Sequence, residues 1–415
     1  MPLAGAVVAF ACCGGNRAAF ISFVSGSGAA DCRPFKSLKN SALSARASMS
    51  FELLGIGTTT PQHSIEQADA AVHAEALSCS AVSTDQQRRL LPILYRRAGV
   101  KTRHSVVLES STNGEMARQT FYPPATSDGD FGPTTSHRME AYETHASALA
   151  ISAVRQALQD GNVNSDEITH LVTVSCSGFS APGFDILLLK ELGFSSDVSR
   201  THIGFMGCHG ALNGLRVAKS FTDNNPEARV VVCAVELCSL HQQYGWCPDK
   251  IVANALFADG AAAVVGKQAS DPAEESWRLV CSGSTVVPDS EEMMSWRIGN
   301  HGFEMTLSPQ IPDLINATLR NWLEQWLAQQ DLTIEEIGCW AIHPGGPRIL
   351  NAVAEAAGFD ETLLTPSREI LAEFGNMSSP TVLFILKKLQ AENAALPCVM
   401  LGFGPGLTIE AALVR

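Results

Sequence analysis

Three residues in this 415-residue chain have types and surroundings suited to covalent chemistry. Cys208 lies in GFMGCHGALNGL, where Gly204 and Gly207 turn the chain into a helix rich in small residues beginning near Ala211. A thiol at a helix N-terminus is favoured as thiolate, and such positions lower a cysteine pKa from about 8.5 to between roughly 3.5 and 7.5. His343 lies in CWAIHPGGPRIL, at the end of an apolar strand that Pro344 to Pro347 turn into a helix, and strand C-terminal ends are where α/β proteins place functional groups. Asn376, in EFGNMSSPTVLFIL, precedes a helix for which Ser379 and Pro380 suit N-cap and N1. Taken singly, each has a plainer fate: an inert buried thiol, a structural imidazole, a turn residue.

Together the three supply a thiolate, a proton partner and an oxyanion donor, the needs of both thiol hydrolysis and thioester condensation. Their separations of 135 and 33 residues follow the order of papain-like proteases. The CGSCW-type surroundings of that nucleophile are missing, however, and Cys208 sits mid-chain.

The elements that must position these groups alternate. A strand-like FELLGIG is followed by a basic segment (Arg88, Arg89, Arg96, Arg97, Lys101, Arg103) and a loop-like stretch from 109 to 137 rich in Ser, Thr, Pro and Gly. Apolar residues from Met139 to Ala157 recur at helical spacing and stop at Gly161, which reads as a glycine cap. Then come THLVTVSC, a helix through ILLLKEL, the helix after Cys208, RVVVCAVE and FADGAAAVVG. The second part repeats the rhythm with WRLVCSGSTVV, a helix from Pro309 to Leu327, IGCWAIH, helices at 347–357 and after Ser379, and the strands PCVMLGF and LTIEAALV. Short apolar strands alternating with helices predict an α/β protein with sheets buried on both faces, and the similar element order suggests a duplicated βα half.

Composition limits the partners. With 46% hydrophobic and 17% charged residues the chain has ample core material, and 29 Lys and Arg against 42 Asp and Glu leave a net charge of -13. Such a surface repels phosphate backbones and acidic membranes, so no nucleic-acid or membrane partner is expected. Twelve cysteines without a CxxC pair read as reduced thiols, and the irregular run Cys233, Cys238, His241, Cys247 does not read as a metal site. Residues 1–48 differ, with five basic residues against Asp31 and an apolar stretch, Leu3 to Cys13, too short to span a bilayer and lacking a basic flank. They read as a disordered leader or upstream translated sequence, with the functional chain beginning near Met49.

On GCHGALNGL, ALFADGAAA, HPGGPRIL, EFGNMSS and GFGPGLTIE, in that order, the sequence closely resembles the type III polyketide synthases, the chalcone and stilbene synthase family, in its bacterial form. The resemblance runs from about Met49 to Arg415. It implies a thiolase-like α/β fold of two duplicated βα halves, 49–270 and 271–415, packed as five αβαβα layers, generally in a cytoplasmic homodimer. It further implies no cofactor beyond the CoA thioester substrates, malonyl-CoA and an acyl-CoA starter. Cys208 would be acylated by the starter, His343 would hold it as thiolate in an ion pair, and His343 with Asn376 would bind the thioester oxygen during decarboxylation. Phe257 matches a gatekeeper aromatic, Ser378 and the backbone around Gly404 match cavity positions, and Arg97, with Arg88 or Arg89, matches the CoA phosphate site.

Several matched positions depart from the plant enzymes. A second gatekeeper aromatic is Met305, a small cavity residue is Trp296, positions often Thr are Cys176 and His241, and Ala181 stands where plant members project Met across the dimer interface. Coumaroyl-primed chalcone synthesis is therefore not implied. Two other readings remain at this stage: a ketoacyl synthase III-like enzyme served by acyl carrier protein, and a catalytically silent thiolase-fold binding subunit.

Overall fold

A computed structural model describes residues 49–78, 85–269 and 276–415. The leader at 1–48 and the boundary between 270 and 271 lie outside the described residues. Residues from Ala47 to Arg415 form one compact unit.

Its first half contains β1 (Phe51–Thr59), β2 (Ser64–Glu66), α1 (Gln67–Leu77), α2 (Asp85–Arg97), β3 (Thr102–His104) and α3 (Thr135–Asp160). There follow β4 (His170–Ser175), α4 (Phe184–Leu192), β5 (Ser199–Gly204), α5 (Gly210–Asn224), β6 (Arg229–Leu237), α6 (Pro248–Leu256) and β7 (Asp259–Gln268). The second half contains β8 (Arg278–Val286), β9 (Met294–Gly299), β10 (Gly302–Leu307), α7 (Ile311–Ala328) and β11 (Cys339–Ile342). It ends with α8 (Pro347–Ala357), α9 (Thr365–Phe374), α10 (Thr381–Ala391), β12 (Cys398–Gly404) and β13 (Thr408–Val414).

The duplication is visible in strand pairing. In the first half β4 runs parallel to β6, β6 antiparallel to β7 and β7 antiparallel to β1; in the second, β11 is parallel to β12, β12 antiparallel to β13 and β13 antiparallel to β8. Among the described residues the half-sheets join where Phe51 faces Leu279 and Glu52 faces Arg278, with Leu53 N donating to Trp277 O beside them. Helices α5 and α10 pack between them, α3 and α4 cover the outer face of the first half, and α7 and α8 that of the second. The result is the thiolase-like five-layer arrangement.

Middle-layer helices have no solvent face, so α10 is buried continuously from Thr381 to Leu386 instead of showing a single apolar stripe. Strands β6 and β7 likewise show unbroken apolar runs, as sheets covered on both sides require.

One local expectation holds and one is corrected. Gly161 is the C-cap residue of α3, its N–H donating to Ala157 O, with an ordinary φ of -82°, while the next residue, Asn162, adopts the left-handed conformation. Gly161 is needed for closeness: a Cβ on it would lie 3.0 Å from Val265 Cγ1 and 3.1 Å from Gly55 N, while one on Gly55 would lie 2.3 Å from Gly161 N. At α10, Pro380 rather than Ser379 is the N-cap residue and no side chain caps the helix, because the Ser379 hydroxyl donates to buried Glu236 instead.

Candidate active site

Cys208 and Asn376 occupy equivalent places in the two halves, just before the middle helices α5 and α10, and His343 immediately follows β11 as Cys176 follows β4. Duplication therefore brings residues 135 and 33 positions apart in sequence to one crevice between the half-sheets. After β5 the chain turns through Phe205 and Gly207, both at positive φ, into a 3-10 turn at Gly207–His209. A Cβ on Gly207 would also lie 2.5 Å from Pro405 Cδ, so backbone conformation and close approach both demand glycine there.

All three groups are buried. The Ser378 hydroxyl, on a residue at positive φ, donates to Cys208 Sγ at 3.6 Å. Asn376 Oδ1 accepts from Ser378 N at 2.7 Å, leaving Asn376 Nδ2 without a protein partner; both ring nitrogens of His343 are likewise unpartnered. Native proteins seldom leave buried donors unpaired, so these orphan groups suit an acceptor that arrives with a ligand.

The electrostatics depart from the preformed ion pair implied by resemblance. Burial pushes the Cys208 thiol up to about 12, eased by the Ser378 hydrogen bond and aggravated by the nearby Glu236 carboxylate. Burial pushes His343 down to about 3, and neighbouring His209 opposes its charging further. Burial thus opposes charge on both groups.

Glu236, a charged residue near the end of an otherwise apolar strand, is the main feature missed in the sequence, although its company in RVVVCAVEL was a signal. It is fully buried and accepts four hydrogen bonds: Cys176 N and Ser177 N at 2.9 Å, Ser177 Oγ at 2.7 Å and Ser379 Oγ at 2.5 Å. It thereby ties the segment after β4 to the Asn376 segment beneath Cys208. Burial nevertheless raises its pKa to about 7.

The other matched residues divide. Cys176, Trp296, Met305, Phe257 and Ser378 border one chamber with Cys208. Cys176 also anchors the nucleophile turn, its sulfur accepting from Gly207 N at 3.0 Å. His241 lies behind Trp296 on a second cavity. Gly404 is not on the chamber wall: its missing Cβ makes room for the His209 ring, which would otherwise lie 2.3 Å away, and Pro405 lines the chamber instead. Phe257 is paired by its backbone neighbours to Asn376, with Ala258 N donating to Asn376 O and Asn376 N to Leu256 O, both at 2.9 Å. Buried Arg103, read only as part of a basic segment, donates to the carbonyls of Asn254 and Phe257 and so holds this gate from the other side.

Arg97 borders a separate outer cavity of about 230 Å³ with Leu256, the Gly345–Pro347 turn and Arg348, a basic residue the sequence reading passed over. Arg88 and Arg89 are exposed on α2 and do not border it.

Comparison with known proteins agrees with this architecture. Residues 38–272 match the N-terminal domain of chalcone and stilbene synthases, and residues 278–415 the C-terminal domain. The chain is 31% identical over 366 residues to an alpha-pyrone synthesis polyketide synthase-like protein of Mycobacterium tuberculosis, covering 86% of this chain and 89% of the relative. It is 33% identical over 365 residues to the 1,3,6,8-tetrahydroxynaphthalene synthase of Streptomyces peucetius subsp. caesius, covering 87% and 92%. The crystal structure of PKS-I from the brown alga Ectocarpus siliculosus superimposes with a TM-score of 0.81 at 27% identity, covering 89% of this chain and 99% of that one. The chain belongs to the chalcone and stilbene synthase family, the type III polyketide synthases, acyl-transferring condensing enzymes that use malonyl-CoA and acyl-CoA substrates.

Proposed function

We propose that Cys208 carries the starter and growing acyl chain, and that His343 and Asn376 bind the thioester oxygen of malonyl-CoA. The observation that carries this reading is that His343 and Asn376 Nδ2 are buried without a protein partner, Asn376 lying two residues before the Ser378 whose hydroxyl donates to Cys208. With burial opposing charge on both Cys208 and His343, proton transfer accompanies attack. The Cys208 S–H proton passes to His343, sulfur bonds to the starter carbonyl carbon, and CoA leaves as a thiol carrying the proton from His343.

Malonyl-CoA then loses its carboxylate as CO2, and the released electron pair enters an enolate. Its oxygen accepts hydrogen bonds from His343 and Asn376, where one such donor contributes about 3 to 4 kcal/mol in the transition state. The enolate carbon attacks the Cys208 thioester and expels the sulfur, giving a CoA ester two carbons longer. No cofactor is needed, since the CoA esters supply both the acyl group and the carbanion.

Arg97 and Arg348 serve the CoA phosphates at the outer cavity. A homodimer is supported by the exposed apolar side chains Phe179, Ile186 and Leu187 in and before α4. Among the described residues no helix is long and apolar enough to cross a membrane, in keeping with a cytoplasmic enzyme.

The test is Cys208→Ala. Mass spectrometry of the intact protein should show no acylation and no polyketide, while malonyl-CoA decarboxylation persists because His343 and Asn376 remain. Undiminished polyketide output would refute the nucleophile assignment. Rates with free CoA esters that exceed those with carrier-bound esters distinguish this enzyme from a carrier-served ketoacyl synthase.

A further inference from the structure

Three small cavities meet at Phe257. The chamber against Cys208 has a volume of about 30 Å³. A second, beyond Trp296 and Met305, has about 20 Å³, and a third, toward Arg103 and Tyr122, about 40 Å³. One water molecule requires roughly 10 to 15 Å³ measured this way. The chamber thus admits about two or three non-hydrogen atoms, which is the size of an acetyl group.

Trp296 makes the chamber small, and it is held on three sides. Its Nε1–H donates to Cys176 O at 2.7 Å, and its ring meets His241 at 5.4 Å and Phe303 at 5.8 Å, both nearly edge-on. His241 is itself fixed: Nε2 faces Ser177 O at 2.6 Å, so it carries the proton and donates, while Nδ1 accepts from Phe303 N at 2.9 Å. The imidazole lies flat on the Phe303 ring, with centroids 4.2 Å apart. With both nitrogens engaged and burial pushing its pKa down to about 3, His241 stays neutral and serves as a brace.

We infer that the starter is a short aliphatic acyl group of two to four carbons, and that His241 and Phe303 are positioning residues that set this limit through Trp296. The inference rests on the loading of Cys208 proposed above. A longer starter must displace the indole, which would leave Cys176 O unpaired in a buried place and open the stack behind it. Met305, cross-strand partner of Trp296 and free to change rotamer, is the soft side of the wall. Its movement joins the second cavity to the chamber, adding space for about one or two further atoms. Chain growth beyond that volume requires Phe257 to turn, because Phe257 borders all three cavities.

The experiment follows acylation of Cys208 by intact-protein mass spectrometry with acetyl-, butyryl-, octanoyl- and lauroyl-CoA, together with product masses after malonyl-CoA is added. The wild type should load acetyl and butyryl groups about tenfold or more faster than octanoyl. Trp296→Gly should largely remove that preference, and His241→Thr and Phe303→Leu should weaken it. Adding Phe303→Leu to Trp296→Gly should change nothing further, since the brace then has nothing to hold. Trp296→Phe, which keeps most of the core volume but lacks the indole N–H, serves if the glycine variant fails to fold, and should partly relax the preference. Octanoyl loading as fast as acetyl in the wild type would overturn the size limit, and additive effects of Trp296 and Phe303 changes would overturn the positioning role. Failure of every thioester to acylate Cys208 would overturn the loading reading beneath it as well.

Discussion

Replacing Glu236 with Gln tests the electrostatics under the nucleophile. Glu236 Oε2 accepts from Cys176 N, Ser177 N and Ser177 Oγ, and Oε1 from Ser379 Oγ. A glutamine fits with its oxygen in the first place and its nitrogen in the second, provided the Ser379 hydroxyl turns to accept. The side chain remains satisfied and only the charge is lost. Because the folded-state pKa of Glu236 is raised from 4.5 to about 7, the folded protein holds this proton more tightly than the unfolded chain. The resulting stabilisation is complete below pH 4.5 and disappears as pH rises through 7. At about 1.4 kcal/mol per pH unit, that interval amounts to about 3 kcal/mol.

Guanidinium unfolding of wild type and Glu236→Gln between pH 4.5 and 8 should therefore show the glutamine variant gaining about 3 kcal/mol relative to wild type as pH rises, other titrations cancelling in the difference. The same charge opposes the Cys208 thiolate. Iodoacetamide should accordingly label Cys208 faster in the variant at pH 8, and at equal rates near pH 5, where wild-type Glu236 is protonated. A stability difference independent of pH, together with equal labelling rates at pH 8, would refute the placement of a titrating carboxyl beside the nucleophile.

The remaining expectations are simpler. In the wild type, with its thiol raised to about 12, Cys208 labelling should climb about tenfold per pH unit from pH 7 to 9; a plateau already reached near pH 6 would establish a preformed ion pair with His343 instead. Asn376→Ala removes one oxyanion donor and should slow malonyl-CoA decarboxylation by about 10²- to 10³-fold, an unchanged rate contradicting its role. Gly161→Ala forces a methyl against Gly55 N and Val265 Cγ1 and should destabilise by about 1 to 3 kcal/mol; an unaltered thermal midpoint would refute the need for close approach at this position.

The elements and the reacting groups are legible in the sequence alone. Strands such as RVVVCAVEL and IGCWAIH are apolar without alternation because both faces are covered, and that pattern is local. Cys208, His343 and Asn376 each sit at a strand-to-helix turn legible from neighbouring glycines and prolines, and their motifs occur in family order. The remaining features depend on contacts between residues distant in the chain. That Gly161, besides ending α3, must also lack a side chain shows only when β1 is laid against α3, and Ser379 looks like an N-cap until Glu236, 143 residues away, takes its hydroxyl. Trp296 could be counted to the chamber, but its bracing by His241 and Phe303 could not, since a ring's direction depends on the hydrogen bonds its nitrogens find. The charge state of Cys208 and His343 depends on tertiary structure for the same reason: a helix N-terminus, which favours thiolate, is visible in the sequence, whereas the loss of water around a buried thiol and imidazole, which opposes charge on both, is a property of the whole packed interior.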